Sequence, residues 1–258
     1  RPPSVSLVCL SVASDVYKSQ GLALALAYPK LPDVSELSDY RPKLPLRVYS
    51  SEGVLMGEFG EELRQLTPIA QIPKVMKDAV IAIEDSDFYS HGGINYRSML
   101  RAVLANLGRS KSQGASTITM QVARNVYLSS EKSYVRKIYE VLLTFKLENL
   151  LTKDQILEIY MNQIFLGERA YGFASAAEIY FGKPLKDISI AEAAMLAGLP
   201  KAPSTFNPIV NPSRARVHQL YIIERMLDND FITKEQAVVA TKEAVSYTHL
   251  TMPTNDPV

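Results

Sequence analysis

A single cysteine, Cys9, stands in 258 residues, which excludes an intrachain disulfide framework and a cysteine-based zinc site. No run of eighteen apolar residues occurs, so the sequence encodes no complete membrane-spanning helix. Net charge is almost absent: 28 lysines and arginines against 27 acids leave a formal +1. Bulk nucleic-acid binding is thereby excluded, and any basic site must be local. Histidine is scarce as well, and His91 has no second histidine nearby to complete a metal site. With Gly92 and Gly93 it reads as a hydrogen-bonding imidazole in a tight turn.

What is present is an ordinary globular composition, 47% hydrophobic and 21% charged. That is enough for one large core, or a core with a small appendage. Gly21 to Tyr28, GLALALAY, is apolar but short. Either the last turns of a membrane anchor or a short buried helix would fit it. The following stretch, with Pro29, Pro32, Pro42 and Pro45 among mixed charges, reads as an extended linker. Leu46 to Phe59 places β-formers on both sides of Ser50-Ser51-Glu52-Gly53, the pattern of a short hairpin.

Beyond the hairpin the periodicity becomes helical. Val75, Met76, Ala79, Val80 and Ile83 recur at helical spacing after Pro73, predicting an amphipathic helix that ends near Asp85. Further helices are expected at about 95–107, 116–128, 133–151, 153–163, 170–180, 189–199, 213–229 and 233–245. Thr152 with Gln155, Ser189 with Glu192, and Thr233 with Gln236 form capping-box pairs at three of the starts. Neither internal repeats nor alternating βα units appear, so the fold class is mainly α. Leu107 to Ser116, rich in Gly, Ser and bases, suits a ligand-covering loop or a plain connector.

Candidate chemistry gathers at three places. Glu84 and Asp85 lie side by side at a helix carboxyl end, opposing its dipole. That field, the neighbouring carboxylate and partial burial would raise a carboxylate toward the range of a general base. A surface acid pair is the plainer alternative. Ser116 and Thr117 open a helix, where free N–H groups favour an anion, and helical spacing lets Gln121 and Arg124 share a face with Thr117. Asn125 follows directly. Lys132, Arg136 and Lys137 then precede Glu140, with Arg136 and Glu140 one turn apart. Taken alone, each cluster also fits a structural role.

The segments EDSDFYSHGG, GASTITMQVARN, RKIYE, LTKDQILEIYMNQIFLG and AGLPKAPSTFNP occur in the order and approximate spacing of the peptidoglycan glycosyltransferase domain. From roughly Leu22 to Ala244 the chain resembles glycosyltransferase family 51, the amino-terminal domain of class A penicillin-binding proteins. The resemblance implies a lysozyme-like helical fold with a small β-hairpin near the N-terminus and a membrane-proximal jaw. It implies polymerisation of lipid II into β-1,4-linked glycan strands, at the periplasmic or outer face of a bacterial inner membrane. By position, Glu84 matches the catalytic base and Glu140 the second essential glutamate. Ser116, Thr117, Gln121, Arg124, Asn125, Lys132, Arg136 and Lys137 match donor and diphosphate contacts. No cofactor is implied as a requirement, although Glu140 could organise a divalent cation, Mg or Mn, around the diphosphate. Implied partners are lipid II, the growing lipid-linked strand, the membrane surface and a transpeptidase domain elsewhere in the full-length protein.

Some residues depart from the pattern. Met120 stands where glutamine is frequent and Lys132 where arginine is also seen; lysine keeps the charge but loses the bidentate fork. Residues of the fourth and fifth motifs, Glu158, Tyr160, Asn162, Lys201, Ser204 and Asn207, are expected to brace the cleft. Ser129 to Lys132, SSEK, mimics a transpeptidase signature, but no KTG follows. The expected organisation is a non-native or disordered tail over 1–20, an anchor end and linker over 21–45, a short β segment over 46–66, the catalytic domain over 67–244, and a second non-native tail over 245–258. Both tails resemble translated sequencing-adapter remnants. A lytic enzyme of the same fold and a silent scaffold are the rival functions; the basic array argues against the first, and the two glutamates against the second.

Overall fold

The computed structural model describes residue 31 and residues 46–53, 55–60, 62–106, 116–127 and 134–247. The anchor-end segment and most of its linker, the tail at 1–20, most of the loop after Leu107, and Lys132 lie outside these residues.

The chain is mainly helical. Strands β1 (Leu46–Tyr49) and β2 (Leu55–Phe59) form the expected antiparallel hairpin, with Leu46 opposite Phe59 and a register shift between Val48 and Tyr49. Two-residue strand β3 (Leu63–Arg64) then pairs in parallel with β4 (Ala170–Tyr171), far along the chain. The helices are α1 (Lys74–Glu84), α2 (Tyr96–Asn106), α3 (Ile118–Tyr127), α4 (Tyr134–Leu150), α5 (Lys153–Gln163), α6 (Phe173–Phe181), α7 (Ile190–Ala197), α8 (Pro212–Asp228) and α9 (Lys234–Lys242). All three capping boxes close as their sequences require, at Thr152, Ser189 and Thr233. Each gives two otherwise orphaned N–H groups a partner.

Two packed groups make the core. Helix α1 lies against α7 and α8, while α3 lies against α4 and α5. Helix α7 is buried from Ala191 through Ala197, and its alanines allow close approach from several sides. Met76, Ala79 and Val80 of α1 are completely buried, as are Leu143 and Leu147 of α4 and Ile156 and Leu157 of α5. Truncating any of these leucines or isoleucines to alanine would cost about 2–5 kcal/mol.

Polar side chains fix the segment that leads into α1. Asn162 Oδ1 accepts from Thr67 N at 2.8 Å, its Nδ2 donates to Thr67 O at 2.9 Å, and Glu158 Oε2 accepts from Ile69 N at 2.6 Å. Arg64, also buried, donates to Gln163 Oε1 at 2.9 Å and lies 4.4 Å from the centre of the Tyr171 ring. Bracing by Glu158 and Asn162 is thus directed at the chain entering α1.

Two helix boundaries differ from the sequence reading. The helix expected from 170 starts at Phe173, because Ala170–Tyr171 forms β4 and Gly172 takes φ 84°. A Cβ on Gly172 would fall 2.9 Å from Asn162 O, so the turn needs glycine there. The helix expected to reach 199 stops at Ala197 and passes into a 3₁₀ turn over Leu199–Lys201. Within the stretch 245–258, expected to be a second tail, Val245 and Tyr247 pack on the core, the Tyr247 ring 6.3 Å from that of Phe181, and residues from 248 lie outside the described ones.

Candidate active site

Glu84 is the last residue of α1, where the helix exposes unbonded carbonyls and a partial negative charge. The side chain is half-buried, and Gln121 Nε2 donates to its Oε2 at 2.6 Å. Burial pushes its pKa above the ordinary 4.5; the Gln121 hydrogen bond and the charges of Arg124 and Lys201 pull the other way, and Asp85 adds a smaller upward push. The balance leaves a carboxylate with raised affinity for a proton, which suits a general base.

Asp85, by contrast, holds the backbone together. Its buried carboxylate accepts from Ile118 N at 3.2 Å and lies 2.9 and 3.0 Å from His91 Nε2. Gly93 N donates to His91 Nδ1 at 3.1 Å, so the ring proton sits on Nε2 and points at Asp85. Thr117 completes the clamp. Its hydroxyl donates to Gly93 O at 2.6 Å and accepts from Met120 N at 3.2 Å, capping α3. The first turn of α3 is therefore tied to the residues following Glu84 by two hydrogen bonds.

On the other side of that turn, Ser116 Oγ accepts from Lys137 Nζ at 3.0 Å, and the same ammonium lies 2.7 Å from Glu140 Oε1. Glu140 is 1% exposed; burying its charge is tolerable because Lys137 neutralises it. Thr144 Oγ1 donates to Glu140 O at 2.7 Å one turn later. Arg136 is half-buried on the same helix, one turn before Glu140.

The structure thus gathers the sequence-predicted residues in two groups joined by the start of α3. Glu84, Gln121 and Arg124 form one, and Ser116, Lys137, Arg136 and Glu140 the other. Arg124 is half-buried and Asn125 exposed, with Arg124 Nε 3.5 Å from Asn125 Oδ1. Thr117 is turned inward and 2% exposed, so its hydroxyl shapes the turn. Lys132 is outside the described residues.

Two neighbours of Glu84 were read from sequence only as cleft braces. Lys201, at the end of the 3₁₀ turn, acts on Glu84 through its charge. Tyr160 of α5 is almost wholly buried, and its pKa is held well above the usual tyrosine value by burial, then by the Glu84 charge. Its hydroxyl has no hydrogen-bond partner among the described residues. Both stand in the fourth and fifth motifs; only the fold shows that they face the first. The clamp formed by Asp85 had one sequence signal, the company of His91 in the same motif.

A raised carboxylate facing an array of cations can deprotonate a nucleophile on one side and receive an anionic leaving group on the other. The sequence also matches a known family and known proteins. The transglycosylase family matches residues 52–227. Penicillin-binding protein 1A of Neisseria flavescens is 55% identical over 227 residues, covering 88% of this chain and 28% of that protein. Penicillin-binding protein 1A of Pseudomonas aeruginosa is 45% identical over 239 residues, covering 92% of this chain and 29% of that protein. The chain therefore spans under a third of the length of these relatives. Among solved structures, penicillin-binding protein 1A from Haemophilus influenzae is similar at 30% identity and a TM-score of 0.49, covering 81% of this chain and 22% of that one.

Proposed function

The chain belongs to the transglycosylase family, and we propose that it is a peptidoglycan glycosyltransferase of cell-wall synthesis that polymerises lipid II. Glu84 takes the proton from the 4-hydroxyl of the acceptor N-acetylglucosamine. The freed oxygen attacks the anomeric carbon of the donor, a new C–O bond forms as the bond to the diphosphate breaks, and the electron pair leaves with the lipid diphosphate. A single displacement on an α-linked donor inverts it, giving the β-1,4 link.

The observation that carries this reading is the placement of Glu84 and the Lys137–Glu140 pair at the two sides of one helix start. Lys137 and Arg136, with Arg124 nearer the base, meet the diphosphate charge, and Ser116 fixes Lys137. Glu140 orders these cations and does not take the acceptor proton, because its carboxylate is already ion-paired. Lys137 occupies this carboxylate in the structure; a divalent cation, Mg or Mn, would be held between Glu140 and the diphosphate oxygens, as such ions are commonly bound by one or two carboxylates plus substrate phosphates. No step here is routed through a metal.

In this reading the reaction takes place on the lipid-anchored substrate at the periplasmic or outer face of the bacterial inner membrane. No described helix is long and apolar enough to cross a membrane, but Tyr96 and Leu100 on α2 and Val135, Ile138 and Phe145 on α4 are exposed apolar residues suited to a membrane surface. The remainder of the full-length protein, in this reading, includes a transpeptidase domain. Detergent-solubilised protein should elongate labelled lipid II into strands. Degradation of finished peptidoglycan without consumption of lipid II would instead identify a lytic enzyme.

A further inference from the structure

A third carboxylate, Glu148, stands on α4 about two turns beyond Glu140. Its Oε1 accepts from Thr119 Oγ1 at 2.5 Å and from Lys153 Nζ at 2.8 Å. Thr119, in the first turn of α3, is completely buried. Lys153 is the first residue of α5, where a positive charge opposes the helix dipole. Its position is explained by Glu148 and by the Phe88 ring, whose centre is 4.5 Å from the ammonium. Gly93 packs against the same carboxylate's stem: at φ 90°, a Cβ there would fall 2.8 Å from Glu148 Cγ and 2.6 Å from Thr144 Cγ2. Glu148 thus touches α3, α5 and the turn that follows Glu84, while standing on the helix that carries Glu140.

Helix geometry gives this contact a function. At 100° per residue, Thr119 points about opposite to Gln121. Thr117 ties the start of α3 to Gly93, and Thr119 ties it to Glu148, on which Gly93 packs. The helix start is thus held at two points, and the Gln121–Glu84 and Ser116–Lys137–Glu140 contacts both depend on its position.

We propose that Glu148, acting through Thr119 and Lys153, is a positioning residue for glycosyl transfer that sets α3 against the two glutamates; this rests on the reading of Glu84 as the base. It touches no reacting atom. Loosening it misplaces Gln121, and because that hydrogen bond lowers the Glu84 pKa, its loss moves the acidic limb of the rate profile to higher pH.

The test compares Thr119→Val, Thr119→Ser and Glu148→Gln with the parent protein in lipid II elongation across pH, alongside hydrogen exchange of the Ile118 to Gln121 amides. Thr119→Val keeps the shape and removes the donor. It should lower kcat roughly tenfold, leave KM within about twofold, shift the acidic limb upward and speed exchange. Thr119→Ser should restore kcat, the acidic limb and exchange, and Glu148→Gln combined with Thr119→Val should be no worse than the poorer single variant. If Glu148→Gln fails to fold, Thr119→Val decides alone. A folded Thr119→Val with parental kcat and acidic limb, or a change in KM only, overturns the proposal. A parent protein inert toward lipid II defeats the functional reading instead, and exchange then decides the grip: unchanged exchange in Thr119→Val overturns it.

Discussion

Glu84 and Glu140 are the same side chain set in opposite surroundings. Glu84 ends a helix, remains half-buried, and has a neutral amide as its hydrogen-bond partner. Glu140 sits within a helix, is almost wholly buried, and has an ammonium at 2.7 Å. Burial raises the proton affinity of the first, while the second is held beside its counterion. The difference teaches that burial alone does not make a base. A carboxylate without a cation in contact keeps an appetite for a proton, and one with a contact cation becomes an electrostatic anchor.

Among changes to the partners of the two glutamates, the largest effect should follow from removing the counterion. Lys137→Met leaves Glu140 buried and uncompensated, and should lower kcat for lipid II elongation about a hundredfold. It should also destabilise the fold by about 1–3 kcal/mol in denaturant unfolding. Lys137→Arg should recover most of the stability. If Lys137→Met were as stable and active as the parent, Glu140 would not be an anchored charge.

A smaller effect is expected at the base's partner. Gln121→Leu removes the donor that favours ionised Glu84, so the acidic limb of kcat/KM should move to higher pH, with roughly tenfold lower activity below it. An unmoved limb would separate Gln121 from the base. Away from both glutamates, Asn162→Ala breaks the brace to Thr67 and should cost about 1–3 kcal/mol. Its pH profile should stay parental, since that contact reaches neither carboxylate.

The smallest effect carries a sign. A raised carboxylate pKa means the native state binds its proton more tightly than the unfolded chain. Glu84 therefore costs nothing at pH below 4.5, and its cost grows as pH rises through the folded pKa. Glu84→Gln removes that cost. Its Tm at neutral pH should equal or exceed the parent's, with the difference vanishing in acid, as thermal unfolding across pH would register. A lower Tm at neutral pH would mean that Glu84 is a structural acid.

Much of this was legible in the sequence because it is local. The capping boxes at Thr152, Ser189 and Thr233 lie within one turn each, and the hairpin is adjacent in the chain. Glu84 and Asp85 also declared their helix end. What stayed hidden depends on distant segments. Leu63–Arg64 pairs with Ala170–Tyr171, and a two-residue strand has no periodicity to read. Glu148 looks like any acid near the end of a helix until α3 places Thr119 against it. Likewise, Tyr160 and Lys201 showed as braces because their approach to Glu84 is a property of packing. Even for Asp85, the charge is legible in the sequence but not its partner, the backbone of Ile118.

The most direct test is elongation of labelled lipid II by Glu84→Gln, measured beside the parent on protein with an unchanged helical circular dichroism spectrum. The account predicts that strand formation is abolished, a loss of at least about a thousandfold, while the fold is intact. Full elongation by that variant would contradict the assignment of Glu84 as the base.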